Sequence, residues 1–224
     1  MEITSVKLEE ETVDRVDPSV YIDLIRAQDV IFGSVLAFYV IFTASFQDIE
    51  MSLFPYLSAL PLFFIAYTTM KLPANFDCEN WASSLLKLRL FSVIAAFTFP
   101  FFIFVQSSNS IYFMSCTLIG LFSFYKFLLT NTYICSLLSA KYKDTGLVQE
   151  GRTTAYLLYI SALLMVLYIV LSVKQDLFIL ETVNMAVKAA WLILIVFPLL
   201  LPLTIMFRVR LLVVQNYKEK LRSL

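Results

Sequence analysis

The 224-residue chain is 60% hydrophobic and 15% charged, with a net charge of zero and a mean hydropathy of +0.81. A soluble domain is nearer half apolar and a quarter charged, so an ordinary cytosolic enzyme, a disordered chain and a secreted disulfide scaffold are excluded, and a polytopic membrane protein is indicated. The absence of histidine and the scatter of Cys78, Cys116 and Cys135 exclude His-dependent triads, His-ligated metals and a thiolate cluster, and the neutral charge balance implies no nucleic-acid partner.

Residues 1–16 are acidic, and Asp17-Pro18 reads as a helix start, Asp as cap and Pro in the first turn. No basic start precedes a short apolar stretch, so no signal peptide is expected. In 17–29, Tyr21, Leu24 and Ile25 share a face, which predicts an amphipathic lead-in on the inner membrane surface or a docking site for a cytoplasmic partner. Six continuous apolar runs follow, at 30–46, at 51–70, centred on 90–106, from near Ser110 to past Leu129, at 154–173 and at 189–207. Each approaches the roughly 20 residues of a spanning helix, and none alternates as barrel strands do. The first and third are near the short limit, so their helices are expected to extend further. Between the second and third runs, Asp77 can cap a helix that places Trp81, Leu85 and Leu88 on one side. That is either the cytoplasmic start of the third helix, with Trp81 at headgroup level, or a short coupling helix. The fourth helix is free of Pro from Ser110 to Lys143, about 50 Å, and projects beyond a roughly 30 Å hydrocarbon layer. Pro55, Pro61, Pro100, Pro198 and Pro202 invite kinks. The loop at 174–188 is short and partly apolar, as for a segment in the outer interface.

Lys and Arg set the orientation. With six spans and both termini cytoplasmic, the segments 1–29, 71–89, 140–153 and 208–224 carry fourteen of the seventeen, while Lys174 and Lys188 lie outside. The remaining one, Lys126, is the single charge within an apolar run. It reads as a snorkelling side chain, as a polar contact between helices, or as a substrate or ion site. Asn131 follows at the inner end of the same helix as a second candidate polar contact. The tail holds Arg208, Arg210, Lys218, Lys220 and Arg222 against Glu219, which reads as lipid-headgroup contacts serving positive-inside anchoring alone, or as a surface-lying helix that senses anionic lipid. No GxSxG, Walker loop, HExxH or paired carboxylates occur, and no span contains Asp or Glu.

The Asp17-Pro18 lead-in, Ala96-Phe97-Thr98-Phe99-Pro100 in the third run and Phe122-Ser123-Phe124-Tyr125-Lys126 in the fourth resemble the Yip family of polytopic membrane proteins, over roughly residues 17–170. The resemblance implies a non-catalytic part in membrane organisation or trafficking. That family usually has five spans, where six are read here.

The expectation is therefore an all-α bundle of six spans with both termini cytoplasmic. It divides into an acidic segment with an amphipathic helix at 1–29, a membrane domain at 30–207 and a basic tail at 208–224. No catalytic residue, cofactor or metal is expected. The partners are the lipid bilayer and either other membrane subunits or a cytoplasmic protein, in a cell inner membrane or an organelle. A scaffold or assembly subunit leads; a permease subunit of an ATP-driven exporter, another small transporter and a lipid-modifying enzyme are the alternatives.

Overall fold

The computed structural model describes residues 18–44, 54–74, 76, 78, 80–98, 111–173 and 185–222. These residues form six α-helices, with no strand among them: α1 Pro18–Ala44, α2 Phe54–Lys71, α3 Trp81–Thr98, α4 Ile111–Lys141, α5 Thr145–Val173 and α6 Met185–Arg222. Each apolar run falls wholly or in part on one of these helices. Four stretches, Ile22–Ile41, Trp81–Thr98, Leu118–Lys141 and Phe197–Glu219, are long and apolar enough to cross a membrane, as in a multi-pass membrane protein. The acidic segment with Asp17, as well as Asp77, Pro100 and the loop from 174 to 184, lies outside the described residues.

The helices close into a ring. Each packs on its neighbours in the chain, α6 returns to α1, and α4 and α6 touch across the middle. The interior is built from Ile31 and Phe38 of α1, Trp81 and Leu88 of α3, Phe124 and Leu128 of α4, Leu158 of α5, and Val209 of α6. Phe38 and Phe124 meet with ring centroids 4.8 Å apart, and the Tyr39 hydroxyl donates to the Leu199 carbonyl at 2.6 Å. Leu199 lies between Pro198 and Pro202, which are both inside α6. The bond ties α1 to the proline-containing stretch of α6.

Three expectations change. First, the lead-in at 17–29 is not a separate surface helix. It is the first part of α1, with Leu24 and Ala27 buried in the core and Ile25 packed against it. Leu24, Ala27, Ile31, Val35 and Phe38 recur at three- and four-residue spacing, so one apolar stripe crosses residue 30 without a break.

Second, α3 starts nine residues before its apolar run, with Trp81 as its first residue and packed inside the protein. Trp81 is 1% exposed. Its ring lies 4.8 Å from Phe76, and its indole N–H donates to the Pro73 carbonyl at 2.8 Å. The chain between α2 and α3 folds back under the bundle and satisfies the indole donor, so the whole ring can be buried. Leu85 and Leu88 are buried on the same face, and no separate coupling helix occurs among the described residues.

Third, residues 208–222 do not form a surface-lying tail. They complete α6, a helix of 38 residues and about 57 Å. Val209 and Val213 stay in the core, so packing carries the helix past its charges.

α4 ends as its lack of Pro predicts, after 31 residues, or about 46 Å. Lys143 has φ 60°, its amide donates to the Ala140 carbonyl at 3.0 Å, and the Asp144 amide donates to Ser139 at 2.9 Å. This pair of bonds is a Schellman end with lysine in the left-handed position usually held by glycine. Asp144 also starts α5, since its Oδ1 accepts from the Leu147 amide at 3.0 Å. The turn is therefore tight enough to set α4 and α5 side by side. They approach closely at Gly151, where an added Cβ would stand 2.1 Å from Ser136 Oγ.

Candidate functional site

The polar chemistry of the described residues gathers at one end of the bundle, where α1, α3 and α5 begin and α2, α4 and α6 end. Three contacts place those termini together: Arg89 of α3 reaches the end of α2, Lys141 of α4 lies 4.6 Å over the Phe76 ring ahead of α3, and the short turn joins α4 to α5.

α6 supplies the first elements. Arg208 and Arg210 are two residues apart, so they leave the helix on nearly opposite sides, with Val209 buried between them. Arg208 donates to both carboxylate oxygens of Glu150 on α5. Arg210 donates through Nε to Asp29 Oδ1 on α1 and through Nη2 to Oδ2 at 3.2 Å. This one stretch of α6 thereby holds two neighbours by ion pairs: Arg208 through Nη1 alone, and Arg210 through the two-nitrogen fork that a planar guanidinium offers a carboxylate. The Arg208 pair is about half exposed and the Arg210 pair little less so. Each therefore contributes modestly, within the roughly 0–1 kcal/mol of solvent-facing pairs. These two arginines, expected at lipid headgroups, are thus engaged with protein carboxylates. Lys218 and Arg222 are exposed further along α6, with Glu219 near the Gln215 amide at 3.5 Å. The Lys220 side chain lies outside the described residues.

Arg89 does a different job. Its Nε donates to the Thr69 carbonyl at 3.0 Å, and its Nη2 donates to Leu72 at 2.8 Å and Met70 at 3.2 Å. These are last-turn carbonyls of α2 and the one just beyond, which lack amide partners at a helix end, where the helix dipole also favours a cation. The buried Thr69 and Ser92 hydroxyls join the same two helices at 2.9 Å.

Lys126 and Asn131 do not meet. Lys126 is half-buried at the outer surface between α4 and α5. Its ammonium lies 5.6 Å from the ring centres of both Phe122 and Tyr159, whose side chains are exposed. The charge rests on two quadrupoles, with no carboxylate paired to it among the described residues. Asn131 points inward and is 3% exposed, and its Nδ2 has no protein partner; Gln28 Oε1 on α1 is likewise buried without one. Asn131 shares the α4 face of Phe124, seven residues earlier, and Gln28 lies on the inward stripe of α1. The complementary donor and acceptor thus face the same interior.

The hydroxyls are largely spent on their own helices. Thr130, Thr132, Ser136 and Ser139 of α4 each donate to the carbonyl four residues earlier, at 2.8 to 3.0 Å. Tyr125 and Ser161 join α4 to α5 at 2.8 Å. No group of three His, Cys, Asp or Glu able to hold a metal occurs among the described residues. The arrangement fastens helices to one another: cations to carboxylates, to helix-end carbonyls and to rings.

Sequence reasoning missed the partners Asp29 and Glu150 and the role of Arg89. The available signal was position. Asp29 stands just before the first apolar run, Arg208 and Arg210 just after the last, and Glu150 a few residues before the fifth. Opposite charges at that depth are natural partners, yet the pairing depends on which helices are neighbours. No known family, curated protein or solved structure matches this chain.

Proposed function

We propose that the protein is a six-span, non-catalytic integral membrane protein with its basic end in the cytoplasm, acting as a scaffold or as a subunit of a larger membrane assembly. One observation carries the reading. Many polar groups of the described residues, among them Arg89, Arg208, Arg210 and the hydroxyls of α4, are engaged between or within helices, while large apolar and aromatic side chains cover the sides, among them Phe64, Tyr67, Phe97, Tyr156 and Leu163. A belt of that kind suits lipid and the flanks of other membrane subunits, and it is the reverse of a soluble surface. The basic end supports the orientation through the positive-inside bias. The Yip resemblance, with its non-catalytic role in membrane organisation, fits the same reading. The exporter-permease alternative needs a free coupling face, and Trp81, Leu85 and Leu88 are turned inward.

Two measurements test the proposal. In a chain lacking Cys78, Cys116 and Cys135, Lys143→Cys at the exposed α4–α5 turn should react with a membrane-impermeant thiol reagent only after permeabilisation. Labelling in intact cells would overturn the orientation. Purification in mild detergent should yield further polypeptides in fixed ratio. A co-purifying ATPase would move the assignment to a permease, and stable isolation of the chain alone would refute the subunit role.

A further inference from the structure

A shallow apolar groove of about 310 Å³ runs between α1 and α2, lined by Gly33, Ser34 and Ala37 on one side and Leu57, Leu60 and Phe64 on the other. It exists because α1 carries small residues one turn apart there. A Cβ added at Gly33 would meet nothing within 4 Å, so the space is open to the surroundings.

The groove has a charged mouth. Arg26, Val30, Gly33 and Ala37 recur along one face of α1, and Leu60, Phe64, Tyr67 and Lys71 along one face of α2. The helices run antiparallel and the groove sets Gly33 near Phe64. Seven residues back on α1 and seven onward on α2 bring Arg26 and Lys71 to the same end. Both are exposed, and the Lys71 ammonium lies 4.4 Å from the Tyr67 ring centre. Among the described residues no carboxylate pairs with either. Asp29 is held by Arg210, and Asp23 lies a turn beyond Arg26, further from the groove. From Arg26 to Ala37 is about 16 Å along the helix, half of a roughly 30 Å hydrocarbon layer and hence the depth of one leaflet.

We propose that this groove binds one anionic phospholipid, with an acyl chain along Gly33, Ala37, Leu60 and Phe64 and the phosphate between Arg26 and Lys71. An apolar cleft alone would admit any chain. The two cations at its mouth select a negative headgroup, and the Tyr67 ring supports one of them. They also disfavour a second copy of the protein as occupant. Two copies related by a two-fold axis along the membrane normal would bring four cations together. The inference rests on the membrane reading above.

The full chain, purified in mild detergent, is offered equal amounts of phosphatidylglycerol and phosphatidylcholine, and retained lipid is counted by native mass spectrometry. Each cation near an anionic lipid contributes about a factor of five, so the unmodified chain should retain one phosphatidylglycerol with about a 25-fold preference. Arg26→Gln with Lys71→Gln should bring that preference close to one. Gly33→Phe fills open space without entering the core and should lower retention of both lipids about tenfold. An unchanged preference in the double variant, or unchanged retention in Gly33→Phe, overturns the site. A dimer that Gly33→Phe dissociates also overturns it and assigns the groove to a second copy. Alkaline carbonate extraction of the same membranes separates the two readings. A chain released by carbonate refutes the membrane assignment, whereas a chain that stays and shows no lipid preference refutes only this site.

Discussion

The contact between α4 and α5 at Gly151 can be broken and then repaired. A Cβ at this position would lie 2.1 Å from Ser136 Oγ, 3.4 Å from Ser136 Cβ and 3.9 Å from the Thr132 carbonyl oxygen. Only the first distance is impossible. In Gly151→Ala the Ser136 hydroxyl must therefore leave its place, where it donates to the Thr132 carbonyl at 3.0 Å. Losing that bond, local to its own helix, costs about 0.5 kcal/mol or less, and forcing a methyl into a packed interface costs about 1–3 kcal/mol. Alanine gains about 1 kcal/mol over glycine in helix propensity. The net is a loss of about 0.5–2.5 kcal/mol. Ser136→Ala alone removes a local bond to its own helix and should cost about 0.5 kcal/mol or less. With both changes the offending oxygen is gone and the two Cβ atoms sit in ordinary contact. The double variant should recover to within about 0.5 kcal/mol of the original chain, or exceed it through the alanine propensity. Reversible unfolding in mixed micelles, followed by helix circular dichroism, measures all four corners of the cycle. Additive effects would refute the proposed clash, because neighbours that share one oxygen must couple.

Two further perturbations test the other contacts. Lys143→Gly relieves a left-handed residue with φ 60° at the end of α4 and should stabilise the chain by about 1 kcal/mol in the same unfolding assay; destabilisation would mean that the lysine side chain carries more than its backbone position. Asp29→Asn and Arg210→Gln should each cost less than about 1 kcal/mol, because the pair is partly exposed. Exchanging the two charges, Asp29→Arg with Arg210→Asp, should restore most of the loss that either reversal causes alone, and a loss that simply adds would show that the pair is not formed.

Six helices were legible in the sequence, four of them with stretches long and apolar enough to cross a membrane, because a membrane helix is a local object. Its backbone satisfies its own hydrogen bonds, so a continuous apolar run of sufficient length has one folded form available in lipid. The same logic exposed the length of α4, from a stretch without Pro, and the concentration of Lys and Arg at one end. What lies between helices was not legible. A soluble helix announces its buried face by the contrast of polar and apolar sides, whereas these helices are apolar nearly all round and carry little such contrast. The sequence accordingly left open that Leu24 turns inward, that Trp81 is buried with its indole on the Pro73 carbonyl, and that Val209 and Val213 carry α6 past its charges into the core. It also could not say which carboxylate meets which arginine. Asp29 is 181 residues from Arg210 and Glu150 is 58 from Arg208, and only the packing of α6 between α1 and α5 brings each pair within reach. Composition and run length determined the elements, because they act through the chain's own backbone; the tertiary structure decided the partners, because they depend on side-chain volumes such as the missing Cβ of Gly151, which take effect only when two helices meet.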